Sequence, residues 1–356
     1  MRRGIRRPRA TAPWYARTEA RLAAVVVALL LLAAAAVIVR SDDAPTSDDI
    51  AVRPTSPTAT VGASATTVAA ATGPSGTPSA SGTPATLAPT PVPLLLDLRP
   101  AAVGQGETIL VWVHAPGAFS VTLELRDDRF TLLPEGEVFW GVVGIPLDAA
   151  LGAAELTVTA RSSSGEIRES LTEGYEIISV DRPVDHITLT EEVASVLTPE
   201  AAEAERALRA RLFSEFDRGR RWSTFFRIPT AGPMSSQFGQ GRSYNGGPVG
   251  GFHTGADIAA AEGASVVATG PARVAWVGEM PIRGISVILD HGAGVKSGYH
   301  HLSAAAVVGG DVVEGGQLIG QVGATGLATG PHLHWELTVW GVNVNPLTWT
   351  LKDFTP

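Results

Sequence analysis

An unbroken apolar run near the N-terminus separates this chain into parts that cannot share one hydrophobic core. Residues 22–39 contain only Leu, Ala, Val and Ile, and as a helix they span about 27 Å, close to the thickness of a bilayer core. Arginines precede the run and aspartates follow it, which favours a cytoplasmic N-terminus. We therefore predict a basic cytoplasmic segment at residues 1–21 and a single-pass membrane anchor at residues 22–39, with the rest of the chain outside the cytoplasm.

A cleaved signal peptide is the alternative interpretation of this run. The run is long for the core of a signal peptide, and the Val-Ile-Val-Arg sequence at its end lacks the small residues of a cleavage site. Both features favour an uncleaved transmembrane helix.

The segment that follows, residues 40–92, is rich in Pro, Thr, Ser, Ala and Gly and contains no aromatic residue. Such a composition buries too little apolar surface to offset the entropy lost on ordering. We predict a disordered linker between the anchor and the globular part of the chain.

Residues 93–182 have the pattern of a small all-β module. Short β-branched or alternating runs at residues 107–113, 119–125, 137–143 and 154–160 are separated by turn-forming residues. This spacing predicts a β-sandwich, with an immunoglobulin-like fold as the nearest type. This region contains no catalytic cluster, and the isolated His114 is expected to be structural or exposed.

Residues 183–224 are predicted to be a helical connector. Thr198 can cap a helix that Pro199 begins, and Glu200 suits its positive end. The apolar residues that follow form one stripe, and the helix is expected to end near Gly219.

Composition restricts the chemistry of the chain. The net charge of −8 gives no basic excess for binding nucleic acid. Cysteine is absent, so disulfides, thiolate metal sites and cysteine nucleophiles are excluded. Any bound metal must be held by nitrogen and oxygen ligands.

Six of the eight histidines lie between His253 and His334, and five of these six fall in three short patterns. The patterns are residues 251–257 (GFHTGAD), 299–302 (YHHL) and 330–336 (GPHLHWE). Polar and apolar residues alternate in the third, which predicts a strand with His332 and His334 on one face, about 7 Å apart. Two imidazoles so placed suit a catalytic zinc, which takes three protein ligands and leaves one position for water. The pattern leaves open which of these two binds the metal, and whether His300 or His301 faces the site.

Residues from about 225 to 349 resemble the lysostaphin/LytM-type zinc metallopeptidases of the bacterial cell wall. The resemblance rests on Ser-Gln-Phe-Gly at residues 236–239, the H-x-x-x-D pattern, Tyr-x-His-Leu at residues 299–302 and Gly-Pro-His-Leu-His at residues 330–334, with glycines at the connecting turns. It implies a mainly β chain in which residues 225–356 form a LytM-like antiparallel β-sheet peptidase domain of the duplicated hybrid motif fold.

The resemblance also implies roles for individual residues. His253, Asp257 and His334 would bind Zn²⁺, and His332 and His301 would be the catalytic histidines. Further expectations concern three other residues: His300 facing away from the site, His291 in a structural turn, and Asn245 either lining the groove or shaping a turn.

The function implied is that of a zinc-dependent endopeptidase that cuts peptide cross-links or stem peptides of peptidoglycan. The alternative is a zinc-holding regulator or wall-binding module that activates another cell-wall hydrolase. With either function, residues 93–182 would bind wall polymer or serve as a spacer.

Overall fold

Strands dominate the computed structural model, which describes residues 93–126 and 128–356 and confirms the mainly β class. Within these residues, no helix has the length and apolar character needed to cross a membrane. The predicted N-terminal segment 1–21, anchor 22–39 and linker 40–92 lie outside the described residues.

Two sheets built from nine strands enclose one hydrophobic core in residues 93–182. One sheet has the order β1-β3-β7-β6 and the other β2-β9-β8-β4-β5. Inward residues such as Val111, Leu123 and Val158 are fully buried, as alternation on a sandwich requires. The likeness to an immunoglobulin domain stays a prediction. The strands are β1 (Leu95–Arg99), β2 (Ala102–Gly104), β3 (Thr108–His114), β4 (Ser120–Leu125), β5 (Asp128–Thr131), β6 (Leu133–Glu135), β7 (Val138–Gly144), β8 (Gly152–Arg161) and β9 (Ile167–Ile178).

The connector is a strand followed by two helices, and so it is not helical throughout. Strand β10 (Val184–Ile187) pairs in parallel with β12 (Gly241–Tyr244), which pairs with β13 (Val249–Phe252). Helix α1 (Glu191–Ala194) precedes helix α2 (Pro199–Leu212). As predicted, α2 begins with Pro in its first turn, and the Thr198 side chain accepts a hydrogen bond from Ala201 N. It ends at Leu212, before the predicted Gly219, because Phe213 leaves the helical conformation and packs against Met280 and Ile288.

A ten-stranded sheet forms the core of the C-terminal domain. Its main path is β11-β14-β21-β18-β17-β16-β19; off this path, β20 pairs with β18, β15 with β20 and β22 with β21. A short helix, α3 (Thr348–Leu351), follows the last strand. The strands are β11 (Met234–Ser236), β14 (Ala256–Ala259), β15 (Ser265–Val267), β16 (Ala272–Met280), β17 (Gly284–Gly292), β18 (Val295–Ala305), β19 (Val312–Val313), β20 (Leu318–Val322), β21 (His332–Val339) and β22 (Val342–Val344).

The β-module packs directly on the C-terminal sheet. Their shared core contains Trp140 of β7 together with Trp222 and Trp349, all of which are nearly inaccessible to solvent. Hydrogen bonds cross the same boundary: Trp340 Nε1 donates to the Val142 carbonyl at 3.0 Å, and Trp349 Nε1 donates to Thr108 Oγ1 at 3.1 Å. The two parts are therefore joined by an apolar interface as well as by the connector.

Candidate active site

Three adjacent strands bring polar side chains to one row of the C-terminal sheet. In the register of β14, β21 and β18, Asp257 lies opposite His334, and His334 lies opposite His300. The alternation predicted for β21 is present, because Leu333, Trp335 and Leu337 are fully buried on the other face. The apolar face therefore fixes the direction in which the histidines of β21 point.

The third predicted metal ligand, His253, meets Asp257 and His334 of this row. His253, which directly follows β13, places Nε2 2.9 Å from Asp257 Oδ1 and 2.9 Å from His334 Nδ1. The distance from His334 Nδ1 to Asp257 Oδ1 is 2.6 Å. One ligand atom from each residue lies within 4.8 Å of the other two, as a shared metal ion requires. Their role as ligands stays a prediction.

Each of these three side chains has a second polar atom that is hydrogen-bonded to a residue outside the group of His253, Asp257 and His334, called the cluster below. His253 Nδ1 donates to the Gln237 carbonyl at 2.9 Å, and Arg242 Nη2 donates to Asp257 Oδ2 at 3.1 Å. His334 Nε2 donates to Glu336 Oε1 at 3.0 Å. These contacts orient both rings and leave His253 Nε2, Asp257 Oδ1 and His334 Nδ1 to converge, which is the usual arrangement around a histidine-bound metal.

The electrostatics of the cluster favour a cation. Burial opposes ionisation of Asp257, but His334 and the hydrogen bonds from both histidines hold the pKa of this carboxyl well below its usual range. Burial also lowers the pKa of His334, yet Asp257 and Glu336 flank the ring and raise it overall. Positive charge is thus stabilised between the two carboxylates. Two imidazoles and one carboxylate are a donor set that fits catalytic zinc.

His301 and His332 form a second pair beside the cluster. Their ring centroids are 4.8 Å apart, and the His301 ring is 5.9 Å from that of His334. Each Nδ1 donates to a backbone carbonyl, of Thr325 for His301 at 2.7 Å and of Gly330 for His332 at 2.9 Å. In the neutral form of either ring, the second nitrogen, Nε2, is therefore the acceptor. His332 Nε2 lies 4.0 Å from Asp257 Oδ1, whereas His334 is in direct contact with that oxygen.

Strand alternation predicted that His300 faces away from the site, and this prediction is wrong. Its ring is fully buried and lies 5.6 Å from that of His334, with Nδ1 hydrogen-bonded to Ser286 Oγ at 2.8 Å. The alternation is interrupted because His301 has a left-handed backbone, with φ of 57°, and pairing with β17 shifts register between Ile285 and Val287. His300 and His301 therefore both approach His334, and His300 Nε2 lies 3.6 Å from Glu336 Oε2.

A groove of about 700 Å³ opens over these residues, and all five predicted site residues line it. The connector contributes to its wall through β10, the loop after it and helix α2. Asn245 shapes a turn instead of lining the groove: its φ is 50°, and its Oδ1 accepts a hydrogen bond from Leu189 N at 2.8 Å. A concave site with convergent polar groups of this kind is typical of an enzyme.

Comparison with known proteins finds a family match within the C-terminal domain. Residues 251–346 match the family described as Peptidase family M23. The C-terminal domain belongs to this family. All five predicted site residues fall inside the matched range, whereas Arg242 and the connector lie outside it.

The M23 domain carries the sequence similarity to curated relatives. It is 42% identical over 97 residues to the DD-carboxypeptidase/endopeptidase Mpg of Neisseria meningitidis, covering 27% of this chain and 22% of that protein. It is 41% identical over 87 residues to the peptidoglycan DD-endopeptidase ShyB of Vibrio cholerae, covering 24% and 20%. The catalytic domain of the antimicrobial peptidase lysostaphin from Staphylococcus simulans matches with 28% identity and a TM-score of 0.31, covering 34% of this chain and 92% of that domain. The chain spans about a fifth of the length of these curated relatives.

Sequence reasoning missed the buried charges beneath the M23 site. Glu336 is 1% exposed, and burial would raise its pKa, but Arg209 and Arg283 hold the pKa of this carboxyl well below its usual range. Glu336 could have been found, since it continues the one-face alternation of His332 and His334. Arg209 and Arg283 had no such signal, because they are distant in sequence and meet only in the fold.

His291 has the structural role expected of it. It is completely buried, with Nδ1 donating to the Pro271 carbonyl at 2.9 Å and Nε2 2.8 Å from Ser297 Oγ. Burial lowers its pKa to about 4. The neutral ring is thus part of the folded M23 core.

This burial predicts acid sensitivity of the fold. Between pH of about 6.5 and pH of about 4, the unfolded chain binds a proton at His291 that the folded chain does not, so the free energy of unfolding falls as pH falls. In urea titrations with chelator present, His291→Gln should lose about 2 kcal/mol less stability than the wild type between pH 7 and pH 5. Equal pH dependence of His291→Gln and wild type would contradict the neutral buried ring.

Proposed function

We propose that this chain is a zinc-dependent endopeptidase that hydrolyses peptide cross-links or stem peptides of bacterial peptidoglycan. The observation that carries the proposal is the convergence of His253, Asp257 and His334 beside a second histidine pair, at the floor of an open groove. The M23 match and the peptidoglycan DD-endopeptidase named among the relatives support the same reaction class and substrate.

In this proposal His253 Nε2, Asp257 Oδ1 and His334 Nδ1 hold the zinc ion. When bound, zinc lowers the pKa of a water molecule and polarises the carbonyl of the bond to be cut. The geometry of the two other histidines suits proton transfer, because a backbone carbonyl fixes each ring and leaves Nε2 as a proton acceptor.

We assign the two proton-transfer roles jointly to His301 and His332. One ring takes the proton of the attacking water at Nε2 and delivers it to the leaving amine. A protonated ring next to the carbonyl oxygen also stabilises the negative charge that develops there. The low exposure of His301, 7%, strengthens these interactions by limiting competing water.

We further propose that residues 22–39 anchor the protein in the cell membrane, with residues 1–21 in the cytoplasm and the catalytic domain outside. The apolar run and its charge asymmetry support this topology. Residues 40–92 would be the linker, and the β-module an immunoglobulin-like spacer or wall-binding unit. Protease added to intact spheroplasts should degrade the M23 domain; protection of that domain would exclude this orientation.

Digestion of defined cell wall tests the catalytic proposal. Full-length protein incubated with cross-linked peptidoglycan should release uncross-linked or shortened peptides, which mass spectrometry identifies together with the bond cut. Chelator should stop the release and added zinc should restore it, because the donor set binds the ion that polarises the carbonyl. Zinc binding without any released peptide would favour the regulatory alternative.

A further inference from the structure

Helix α2 precedes the residues matched to the M23 family. Its buried charged side chains are linked by hydrogen bonds to the proposed metal ligand His334. Arg209 Nη1 donates to Glu336 Oε2 at 2.9 Å. The two residues are 3% and 1% exposed, so water screens their interaction little. The Arg209 guanidinium thereby holds one oxygen of the carboxylate that contacts His334.

The other oxygen of this carboxylate faces the cluster. Glu336 Oε1 accepts hydrogen bonds from His334 Nε2 at 3.0 Å, from Thr254 Oγ1 at 2.7 Å and from Arg283 Nη2 at 2.6 Å. Arg283 Nε also donates to Oε1, at 3.1 Å. With Arg209 on Oε2 and four donor atoms on Oε1, the carboxylate has one orientation in which all its partners are satisfied.

Helix α2 also fixes Arg283 through a second side chain. Glu205 pairs with the Arg283 guanidinium, and Glu205 Oε2 accepts hydrogen bonds from the backbone nitrogens of Ile282 and Arg283 at 2.6 and 3.0 Å. Arg209 and Glu205 lie four residues apart, on one face of the helix. Both contacts of α2 therefore lead to Glu336, and two carboxylates balance two guanidiniums in this buried layer.

We propose that Arg209 is a positioning residue of the metal centre, which acts on His334 through Glu336. A carboxylate that accepts the outer N–H of a ligating histidine fixes the tautomer and raises the basicity of the ligating nitrogen. Holding Glu336 in place thus keeps His334 Nδ1 directed at His253 and Asp257. The inference rests on the zinc binding in the proposed function, and it makes α2 part of the metal centre.

Zinc affinity of the full-length chain tests this role without requiring activity. Competition with a chromophoric chelator should show zinc bound 10–100-fold more weakly by Arg209→Met and by Glu336→Gln, the range expected for loss of an outer partner. Arg211→Met is the matched control, because Arg211 lies on the same helix with an exposed side chain; its affinity should equal that of the wild type. Arg209→Lys, which keeps the charge, should recover part of the loss.

The double variant Arg209→Met/Glu336→Gln separates positioning from a general structural effect. If Arg209 acts through Glu336, adding Arg209→Met to Glu336→Gln should weaken zinc binding by less than about 2-fold more, since coupled residues are not additive. Full multiplication of the two losses, or wild-type affinity in Arg209→Met, would overturn the inference.

Folding is a risk for one variant, since Arg209→Met leaves a buried carboxylate without its partner. If it does not fold, Arg209→Lys and Glu336→Gln decide the question: affinities equal to that of Arg211→Met overturn the inference, and weaker binding by both supports it. A wild-type chain that binds zinc but releases no peptide would contradict the proposed function alone, and the affinities would still test Arg209.

Discussion

Replacement of His334 by Ala should abolish both zinc binding and peptide release. His334 Nδ1 lies 2.9 Å from His253 Nε2 and 2.6 Å from Asp257 Oδ1, so its loss would leave two of the proposed ligands where a catalytic zinc takes three. Bound zinc should fall from one per chain to nearly none. Activity should fall at least about 10³-fold, because in the proposed mechanism His334 would hold the ion that polarises the carbonyl.

Metal content by elemental analysis and peptide release by mass spectrometry would measure the two effects. His114→Ala is the matched control: His114 lies on β3 of the β-module and contacts Glu137, so both zinc content and activity should be unchanged. Unfolding curves of the metal-free proteins would verify that His334→Ala is folded. Wild-type zinc content in a folded His334→Ala variant would show that the ligand assignment is wrong.

His301→Ala should separate catalysis from metal binding. The His301 ring lies beside that of His332, with the ring planes tilted by 45°, and its Nδ1 is hydrogen-bonded to the Thr325 carbonyl; it is outside the group of atoms proposed to bind the metal. Zinc should therefore stay near one per chain. Peptide release should fall about 10²–10⁴-fold, the usual contribution of a proton-transfer group.

The backbone at position 301 calls for a second substitution. Because φ is 57° there, Ala costs some conformational energy, whereas Asn tolerates the left-handed region. His301→Asn should lose turnover as His301→Ala does, which attributes the loss to the imidazole. Turnover retained by His301→Asn would contradict the catalytic role, and zinc lost from it would make His301 part of the ligand set.

The sequence predicted those features that depend on local periodicity. Alternation in β21 correctly placed His332 and His334 on one face, since a strand that directs Leu333 and Trp335 to one face of the sheet must direct the side chains between them to the other face. The cap at Thr198 and the proline after it located the start of α2, because both act on the first helical turn. The strands at residues 107–113 and 154–160 followed from the same short-range pattern.

Features that depend on tertiary contacts were not predictable in this way. The position of His300 was wrong because one left-handed residue, at His301, interrupts the alternation. The end of α2 was also misplaced, since burial of Phe213 against Ile288 stops the helix early. Arg209 and Glu336 are 127 residues apart, and no local pattern links them.

The apolar interface between the β-module and the M23 sheet has a practical consequence. Cutting the chain near residue 225 to isolate the peptidase would remove Trp140 and Trp222 from a core that they share with Trp349. The exposed patch would favour self-association. We expect the two parts to melt together in calorimetry as one cooperative unit, so the smallest soluble form suited to biochemistry should begin near residue 93.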